Sequence, residues 1–281
     1  MKKRALFFIA AACVNCGILQ AEFKNNPDDN TLWIEDGKNI AVWKDNFGPG
    51  FNNSDILIEP DPKGGFIMEQ KKQGKPRTVR KVPVSPEYPY IVYEITGIEM
   101  RKGYRALWLP ILGSAMTVMQ GNPQTGVFAL HYYENSKLPT SVKEDYLALD
   151  IHGVHVRFKY LKIVKKPDYY IKVESPAFEK NKSAAIGDKL KFTVCLKEEA
   201  EDVSLNFYTN TVLPLSLNGS SHLQLFPEEG SQGKIWCAEL KLDKIAAPKE
   251  FTLLMKAVIL GNENAPEALW GKCNYPIRPS K

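Results

Sequence analysis

The sequence predicts an all-β protein built as two successive β-sandwiches. Runs in which apolar and polar residues alternate recur along most of the 281 residues, as is typical of strands with one buried face. Pro and Gly turns separate these runs, and the first half contains no stretch with a helical period and helix caps. About ten such strands before residue 175 and about seven after it indicate two sandwiches.

The clearest pattern covers residues 145–160. Two alternating runs flank Gly153-Val154, and Gly at the first position of a two-residue loop favours a type II′ β-hairpin. The apolar face of that hairpin pairs Ile151 with Val156, Leu149 with Phe158 and Leu147 with Tyr160. Its polar face pairs Asp150 with Arg157 and His152 with His155. After Tyr160 the apolar phase slips by one residue, which indicates a β-bulge.

Residues 1–21 have the pattern of a secretory signal peptide. Met1-Lys-Lys-Arg is a charged start, an apolar run follows from Ala5, and Ala21 is a small residue at the cleavage position. A membrane anchor is the alternative, but the apolar run is shorter than the roughly 20 residues that a span needs. Lipoprotein processing before Cys13 or Cys16 is a third option. We expect a secreted, periplasmic or cell-surface protein with no integral membrane span after signal cleavage.

The formal charge of +5 depends largely on this segment. It contains three of the 37 basic residues and none of the 32 acidic ones, which leaves 34 basic against 32 acidic residues. No strongly electropositive face is implied, and no nucleic-acid-binding motif is present. We therefore expect no nucleic-acid partner.

Three cysteines follow the signal. The alternation of the runs around Cys195 and Cys237 places both on the outward faces of their strands. If those strands are neighbours, an exported protein can join the two cysteines in a disulfide and leave Cys273 unpaired. Free, partly buried cysteines are the alternative.

The first domain, residues 22–175, begins with a polar lead-in and then alternates strands with turns. The predicted strands are 31–34, 39–43, 56–59, 65–69, 78–82, 88–95, 104–109, 116–119, 127–133, the two strands of the hairpin, and 168–174. A loop at 44–55 contains Gly48-Pro49-Gly50 and oxygen-bearing side chains, which are Asp45, Asn46, Asn52, Asn53 and Asp55. Asp45 and Asp55 could hold calcium, which takes six to eight oxygen ligands. The same residues also suit turns on conformational grounds alone.

The order of these features resembles the galactose-binding-like jelly rolls of many carbohydrate-binding modules. The likeness lies in the aspartate-rich early loop, the Pro-Tyr-Ile-Val-Tyr-Glu-Ile strand at 89–95, and the Leu-Asp-Ile-His-Gly-Val-His-Val stretch at 149–156, which is followed by Tyr160. It covers residues 30–175 at the level of the fold, and no ligand residue carries over. The resemblance implies a jelly-roll-like binding module whose site lies in loops at one end of the sandwich, often with a structural calcium.

The second domain, residues 176–281, follows a joint at Ser175-Pro176-Ala177. Its predicted strands are 189–196, 202–208, 212–217, 222–226, 234–242, 250–260 and 267–276. Seven strands in about a hundred residues resemble an immunoglobulin-like sandwich. The chain departs from antibody domains because Trp236 adjoins Cys237 on the fifth strand, instead of lying between two cysteines. We therefore expect a generic Ig-like spacer.

Catalytic and metal motifs are sparse. His152, His155 and Asp150 share the polar face of the predicted hairpin, where they form either a transition-metal site or ordinary polar surface. The sequence has no Gly-x-Ser-x-Gly elbow, no Walker loop and no His-Glu-x-x-His motif. Two carboxylates at a set separation would suffice for glycosidase chemistry, and the candidates are Glu134, Glu144, Asp145 and Asp150.

Aromatic residues near the predicted loops favour a carbohydrate ligand, because sugar rings present apolar faces that stack on Trp and Tyr. The candidates are Trp33, Trp43, Trp108, Tyr132 and Tyr133, and Trp43 is preferred because it adjoins the 44–55 loop. We expect an exported, non-catalytic protein that binds carbohydrate or another cell-surface polymer and requires no cofactor, except for the possible calcium. A structural or adhesive envelope protein that contacts other proteins is the alternative. A glycoside hydrolase or lyase accessory is the third.

Overall fold

A computed structural model defines the backbone over most of the chain after residue 27. The described residues are 28–38, 40, 56–70, 77–100, 106–111, 115–120, 124–131, 141, 143–152, 154–247 and 249–279. These residues form twenty β-strands and one short helix, so the predicted all-β class is confirmed. No helix within the described ranges is long and apolar enough to cross a bilayer.

We call residues up to 175 the first half and the remainder the second half. The strands of the first half are β1 (Thr31–Glu35), β2 (Ile56–Pro60), β3 (Phe66–Gln70), β4 (Arg77–Val84), β5 (Tyr90–Met100), β6 (Ala106–Ile111), β7 (Ala115–Gln120), β8 (Gly126–His131), β9 (Lys143–His152), β10 (Val154–Val164) and β11 (Tyr170–Glu174). The second half contains helix α1 (Pro176–Asn181) and strands β12 (Ala184–Ala185), β13 (Lys189–Cys195), β14 (Asp202–Thr209), β15 (His222–Gln224), β16 (Phe226–Pro227), β17 (Ile235–Lys241), β18 (Leu253–Leu260), β19 (Leu269–Lys272) and β20 (Ile277–Arg278).

One large sheet contains strands of both halves. Its order is β15-β14-β18-β19-β8-β5-β10-β3-β2, and β1 pairs with β10 beside this path. Two four-stranded sheets accompany it, with the orders β4-β9-β6-β7 and β11-β13-β17-β16. Strands β12 and β20 form a short parallel pair. The large sheet therefore continues across the boundary predicted at residue 175.

The central strands of the large sheet are buried on both faces. On β5, Ile91 and Tyr93 belong to one hydrophobic core, while Val92 between them belongs to a second. The first core includes residues of β9, and the second includes residues of β13 and β17. Burial on both faces accounts for the nearly continuous apolar run at Tyr90–Ile95, which a strand with one wet face would not need.

The hairpin predicted at 145–160 is wrong. Strands β9 and β10 lie in different sheets, since β9 pairs with β4 and β6 whereas β10 pairs with β5, β3 and β1. Leu149 of β9 and Phe158 of β10 nevertheless share the first core. A β-hairpin produces alternating apolar and polar residues on both sides of a turn. A chain that turns from one sheet into a second sheet packed against it produces the same sequence pattern. The sequence pattern alone could not separate these two geometries.

The register predicted for the polar face of that hairpin is wrong as well. Arg157 donates to the Asp61 carboxylate at 2.9 Å, and Asp61 is buried. His155 lies opposite Glu69 of β3, with 3.4 Å between Nδ1 and Oε2. On β9, His152 is in register with Ala106 of β6. The charges therefore pair across sheet neighbours that lie far apart in sequence.

The predicted irregularity near Tyr160 is confirmed, although its position is slightly earlier. The register of β10 with β5 shifts between Arg157 and Phe158 and again between Phe158 and Tyr160. As a result Phe158 and Leu161, three residues apart, lie in the same core. Between them, Lys159 and Tyr160 are directed to the other side of the sheet.

Two further expectations need correction. The strand predicted at 168–174 as part of the first domain is β11, and it pairs with β13 of the second half. Residues 212–217 form isolated bridges and no strand, and Val212 has a positive φ of 59° that breaks an extended run. The predicted joint is the start of helix α1, where the Ser175 hydroxyl accepts a hydrogen bond from the Ala177 amide at 3.2 Å.

The two halves meet where β8 and β19 run parallel. The Val127 amide donates to the Ala268 carbonyl at 2.8 Å, and Trp270 Nε1 donates to the Thr125 carbonyl at 3.0 Å. Trp270 also stacks on Phe128 with 5.9 Å between ring centroids. Gly126 permits this approach, because a Cβ at that position would lie 2.4 Å from the Ala268 carbonyl oxygen.

We predict that Gly126→Ala destabilises the protein by about 1–3 kcal/mol, because it combines a steric clash with an unfavourable φ of 128°. Urea unfolding measures the free energy of unfolding. Gly230→Ala is the matched control, since Gly230 also has a positive φ but an added Cβ meets no atom within 4 Å. Equal losses in the two variants would show that contact at the junction does not limit stability.

Candidate functional site

Most of the ligand residues predicted from sequence fall outside the described residues. These are Trp43, Asp45, Asn46, Asn52, Asn53, Asp55 and Tyr132. Trp108 lies on β6, where it is in register with Val118 of β7 and Asp150 of β9. Trp33 is buried in the first core and offers no ligand platform. The signal peptide and the calcium loop likewise lie outside the described residues and remain predictions.

The described residues form a groove between the halves, which we call the β10 groove. Its cavity has a volume of about 330 Å³. The residues that line it are Val92, Glu94, Val127, Lys159, Tyr160, Lys162, Asp168, Tyr169, Asn264, Ala265 and Pro266. Strands β5, β8 and β10 form its floor, and the loop between β18 and β19 forms one wall. This volume is at the lower end of the range for ligand pockets, about 300–1,000 Å³.

The bulge in β10 directs two consecutive residues toward this groove. In a regular strand Lys159 and Tyr160 would point to opposite faces. The register shift beside Phe158 removes that alternation, and both residues line the groove. Bulges commonly redirect side chains at functional positions. The phase slip visible in the sequence therefore has a direct consequence for the site.

Glu94 of β5 lies in the groove with both of these residues. Its carboxylate pairs with Lys159, whose Nζ lies 3.2 Å from Oε1, and its negative charge acts on the Tyr160 hydroxyl. Burial, reinforced by the negative charge of Glu94, raises the pKa of Tyr160 well above its ordinary value. The phenol therefore remains a neutral hydrogen-bond donor at physiological pH.

Two further charged residues, Lys162 and Asp168, line the groove. Lys162 Nζ lies 5.0 Å from the ring centroid, within the range of a cation–π contact. Asp168 lies 3.9 Å from Lys197 Nζ, measured from its Oδ2. The groove thus combines ammonium, carboxylate and phenol groups around a partly apolar floor.

The wall formed by the loop between β18 and β19 is fixed by hydrogen bonds of Asn264. Its carbonyl accepts a hydrogen bond from the Tyr169 hydroxyl at 3.1 Å, and its side-chain amide donates to Glu198 Oε2 at 2.6 Å. Asn262 donates to the Glu198 carbonyl at 3.3 Å. Partial burial and the charges of Glu198 and Asp168 raise the pKa of Tyr169. A loop held at several points gives the groove a defined shape before any ligand binds.

A smaller cavity of about 190 Å³ lies near the end of β8. Its lining includes His131 and Tyr90, whose rings meet edge to face with centroids 5.1 Å apart. Burial and the charge of Lys172 lower the pKa of His131, which favours the neutral imidazole. The contact of the neutral His131 ring with Tyr90 is explained by packing alone.

The structure separates the predicted metal triad. His155 lies on β10, while Asp150 and His152 lie on β9 in another sheet. Within the described parts of the chain, no group of three or more His, Cys, Asp or Glu residues is arranged to hold a metal ion.

The Cys195–Cys237 disulfide is not formed in the structure. The prediction that their strands are neighbours is correct, since β13 pairs with β17. The register places Thr193 opposite Cys237 and Ile235 opposite Cys195, so the two cysteines are only diagonal neighbours. Both are free thiols, and Cys237 Sγ lies 3.6 Å from Thr193 Oγ1. A diagonal separation usually exceeds the Cα distance that a disulfide tolerates.

A scan of the chain against protein-family models matches no family, and a search of the curated proteins finds no match. Sequence reasoning did not identify the groove residues Glu94, Tyr169 or Asn264 as a set. They lie on three separate segments that only the tertiary fold brings together. The slip at Tyr160 was the one local signal that pointed to this place.

We predict that Tyr160→Phe changes the dependence of stability on alkaline pH. The raised pKa keeps the folded phenol neutral above pH 10, where the unfolded phenol ionises, so wild-type stability falls as pH rises through that range. The variant loses the polar hydroxyl near the Glu94 carboxylate, which changes its stability at pH 8. It also escapes an alkaline loss of up to about 1.4 kcal/mol per pH unit. Urea unfolding at pH 8 and pH 11 measures both effects, and parallel pH profiles would contradict the assignment.

Proposed function

We propose that this chain is an exported, non-catalytic protein that binds carbohydrate in the β10 groove. The observation that carries the proposal is the combination of Tyr160 and Tyr169 with carboxylate, ammonium and amide groups in one open groove. A sugar presents apolar ring faces and many hydroxyl groups, and it therefore needs aromatic surface next to hydrogen-bond partners. An amphipathic tyrosine supplies both.

The pairing of charges in the groove favours an uncharged ligand. Lys159 is paired with Glu94, and Asp168 lies near Lys197, so no single sign of charge dominates the floor. Charged groups held in this way still accept and donate strong hydrogen bonds to hydroxyl groups. A neutral, hydroxyl-rich molecule fits such a surface better than a strong anion or cation.

The contacts of Glu94 support binding without catalysis. Glycoside hydrolysis needs one carboxyl group that gives a proton and a second that acts as base or nucleophile. Glu94 is paired with the Lys159 ammonium group, whose Nζ lies 3.2 Å from its Oε1. This arrangement suits a hydrogen-bond acceptor better than a general acid.

The proposal keeps the ligand class suggested by the resemblance to galactose-binding-like jelly rolls but moves the site. That resemblance implies loops at one end of the first domain, whereas the β10 groove lies along strands and is completed by Asn264 of the second half. Export rests on the signal features of residues 1–21 and is part of the same proposal.

A second candidate function is adhesion to other proteins. Four large apolar side chains of the second half are exposed, and they are Leu213, Phe226, Val258 and Leu260. Phe226 is 67% exposed on the edge strand β16. Exposed apolar groups of this kind are typical of protein contacts when they are contiguous.

We predict that the full chain, without its signal, binds an uncharged glycan and that Tyr169→Ala weakens the affinity about tenfold, which is about 1.4 kcal/mol. A glycan array with and without EDTA identifies the ligand, and isothermal titration calorimetry gives its dissociation constant. If the chain binds the glycan without EDTA and loses binding when EDTA is added, the predicted calcium supports the site.

Two matched variants make this test specific. Tyr169→Phe keeps the ring and loses only the hydrogen bond to Asn264, so its affinity should stay close to that of the wild type. Phe226→Ala removes an exposed ring outside the groove and should not change glycan affinity. Absence of binding to every glycan, or equal affinity of Tyr169→Ala and the wild type, would reject the proposal.

A further inference from the structure

A second groove lies on the far side of the loop that bounds the β10 groove. Its volume is about 520 Å³, and its lining includes Glu198, Gln232, Lys234, Asn262 and Asn264. All of these residues belong to the second half. The segment 228–234 that forms its outer rim is a compact turn, in which the Ser231 amide donates to the Glu228 carbonyl at 3.1 Å.

Asn264 connects the two grooves, because it lines both of them. Its carbonyl is held by Tyr169 from the β10 groove, and its side-chain amide is held by Glu198 from the second groove. The two cavities therefore adjoin across one fixed residue. A ligand longer than the β10 groove would reach the second groove at Asn264.

Polar side chains are available along this continuation. Gln232 and Lys234 are both exposed at the rim, so they can reach a ligand that lies in the second groove. Gln232 has a φ of 53°, in the left-handed region that residues other than glycine rarely adopt. Ser231, on the other side of the turn, uses its hydroxyl to donate to the Ile235 carbonyl at 3.2 Å and so holds the turn in place.

Taking the proposed function as its basis, the geometry points to a linear, uncharged polysaccharide that lies across both grooves and passes over Asn264. Single sugars and very short oligomers occupy the β10 groove alone. Longer chains gain contacts with Gln232 and Lys234 in the second groove. Glu198, Glu199 and Glu263 outnumber Lys234 in that lining, so a polyanionic chain is repelled there.

The dependence of affinity on chain length tests this inference. Cello-, manno- and xylo-oligosaccharide series, each from disaccharide to octasaccharide, are titrated into the full chain by isothermal titration calorimetry. We expect the longest members of the bound series to bind about tenfold more tightly than the members that fill only the β10 groove. A uronic acid polymer of matched length should bind more weakly than the uncharged chain.

The double variant Gln232→Ala, Lys234→Ala separates the two grooves. It should remove the gain for long oligosaccharides and leave the affinity for short ones unchanged. Lys244→Ala, an exposed lysine of the same half outside both linings, is the control and should bind like the wild type. Both side chains changed in the double variant are exposed, and circular dichroism verifies that it is folded.

The outcomes distinguish this inference from the proposed function. If no oligosaccharide of any length binds and the glycan array is also negative, the proposed function fails, and this inference fails with it. If glycans bind but affinity stops rising at the length that fills the β10 groove, only the extension into the second groove is wrong. An unchanged affinity of the double variant for long chains would overturn the extension as well.

Discussion

The parallel pairing of β8 with β19 is the contact on which the rest of the architecture depends. It joins the strands of the two halves into one sheet and places Trp270 of β19 against Phe128 of β8, which in turn stacks on Tyr93 with 4.8 Å between centroids. Each such ring pair contributes about 0.5–1.5 kcal/mol beyond its buried area. The same pairing sends alternate residues to the two cores, since Leu269 lies in the second and Trp270 in the first.

This junction also creates the candidate site. Strand β19 follows the loop that contains Asn264. The pairing of β19 with β8 therefore places that loop next to the groove residues of β5 and β10. The bulge in β10 then supplies Lys159 and Tyr160 from the other side. A groove with walls from both halves follows from two backbone features, which are the parallel pairing of β8 with β19 and the bulge in β10.

The sequence predicted what depends on local alternation and missed what depends on long-range pairing. Leu190, Phe192 and Val194 are buried as expected, because a strand with one wet face leaves a period of two in its own residues. The partners of a strand leave no such trace, and so β9 and β10 were expected to form a hairpin although they lie in separate sheets. The groove was missed for the same reason, apart from the slip near Tyr160, which is a local signal.

The shared groove also changes how the unit of function should be defined. A first domain that ends at residue 175 would keep Glu94 and Tyr160 but lose the wall formed by Asn264, and it would expose the second-core residues Val92 and Val127. Exposing those apolar side chains costs free energy in proportion to their buried area. The shape of the groove and the stability of the fold are therefore properties of the two halves together, because the same sheet that buries the second core also carries the floor of the groove.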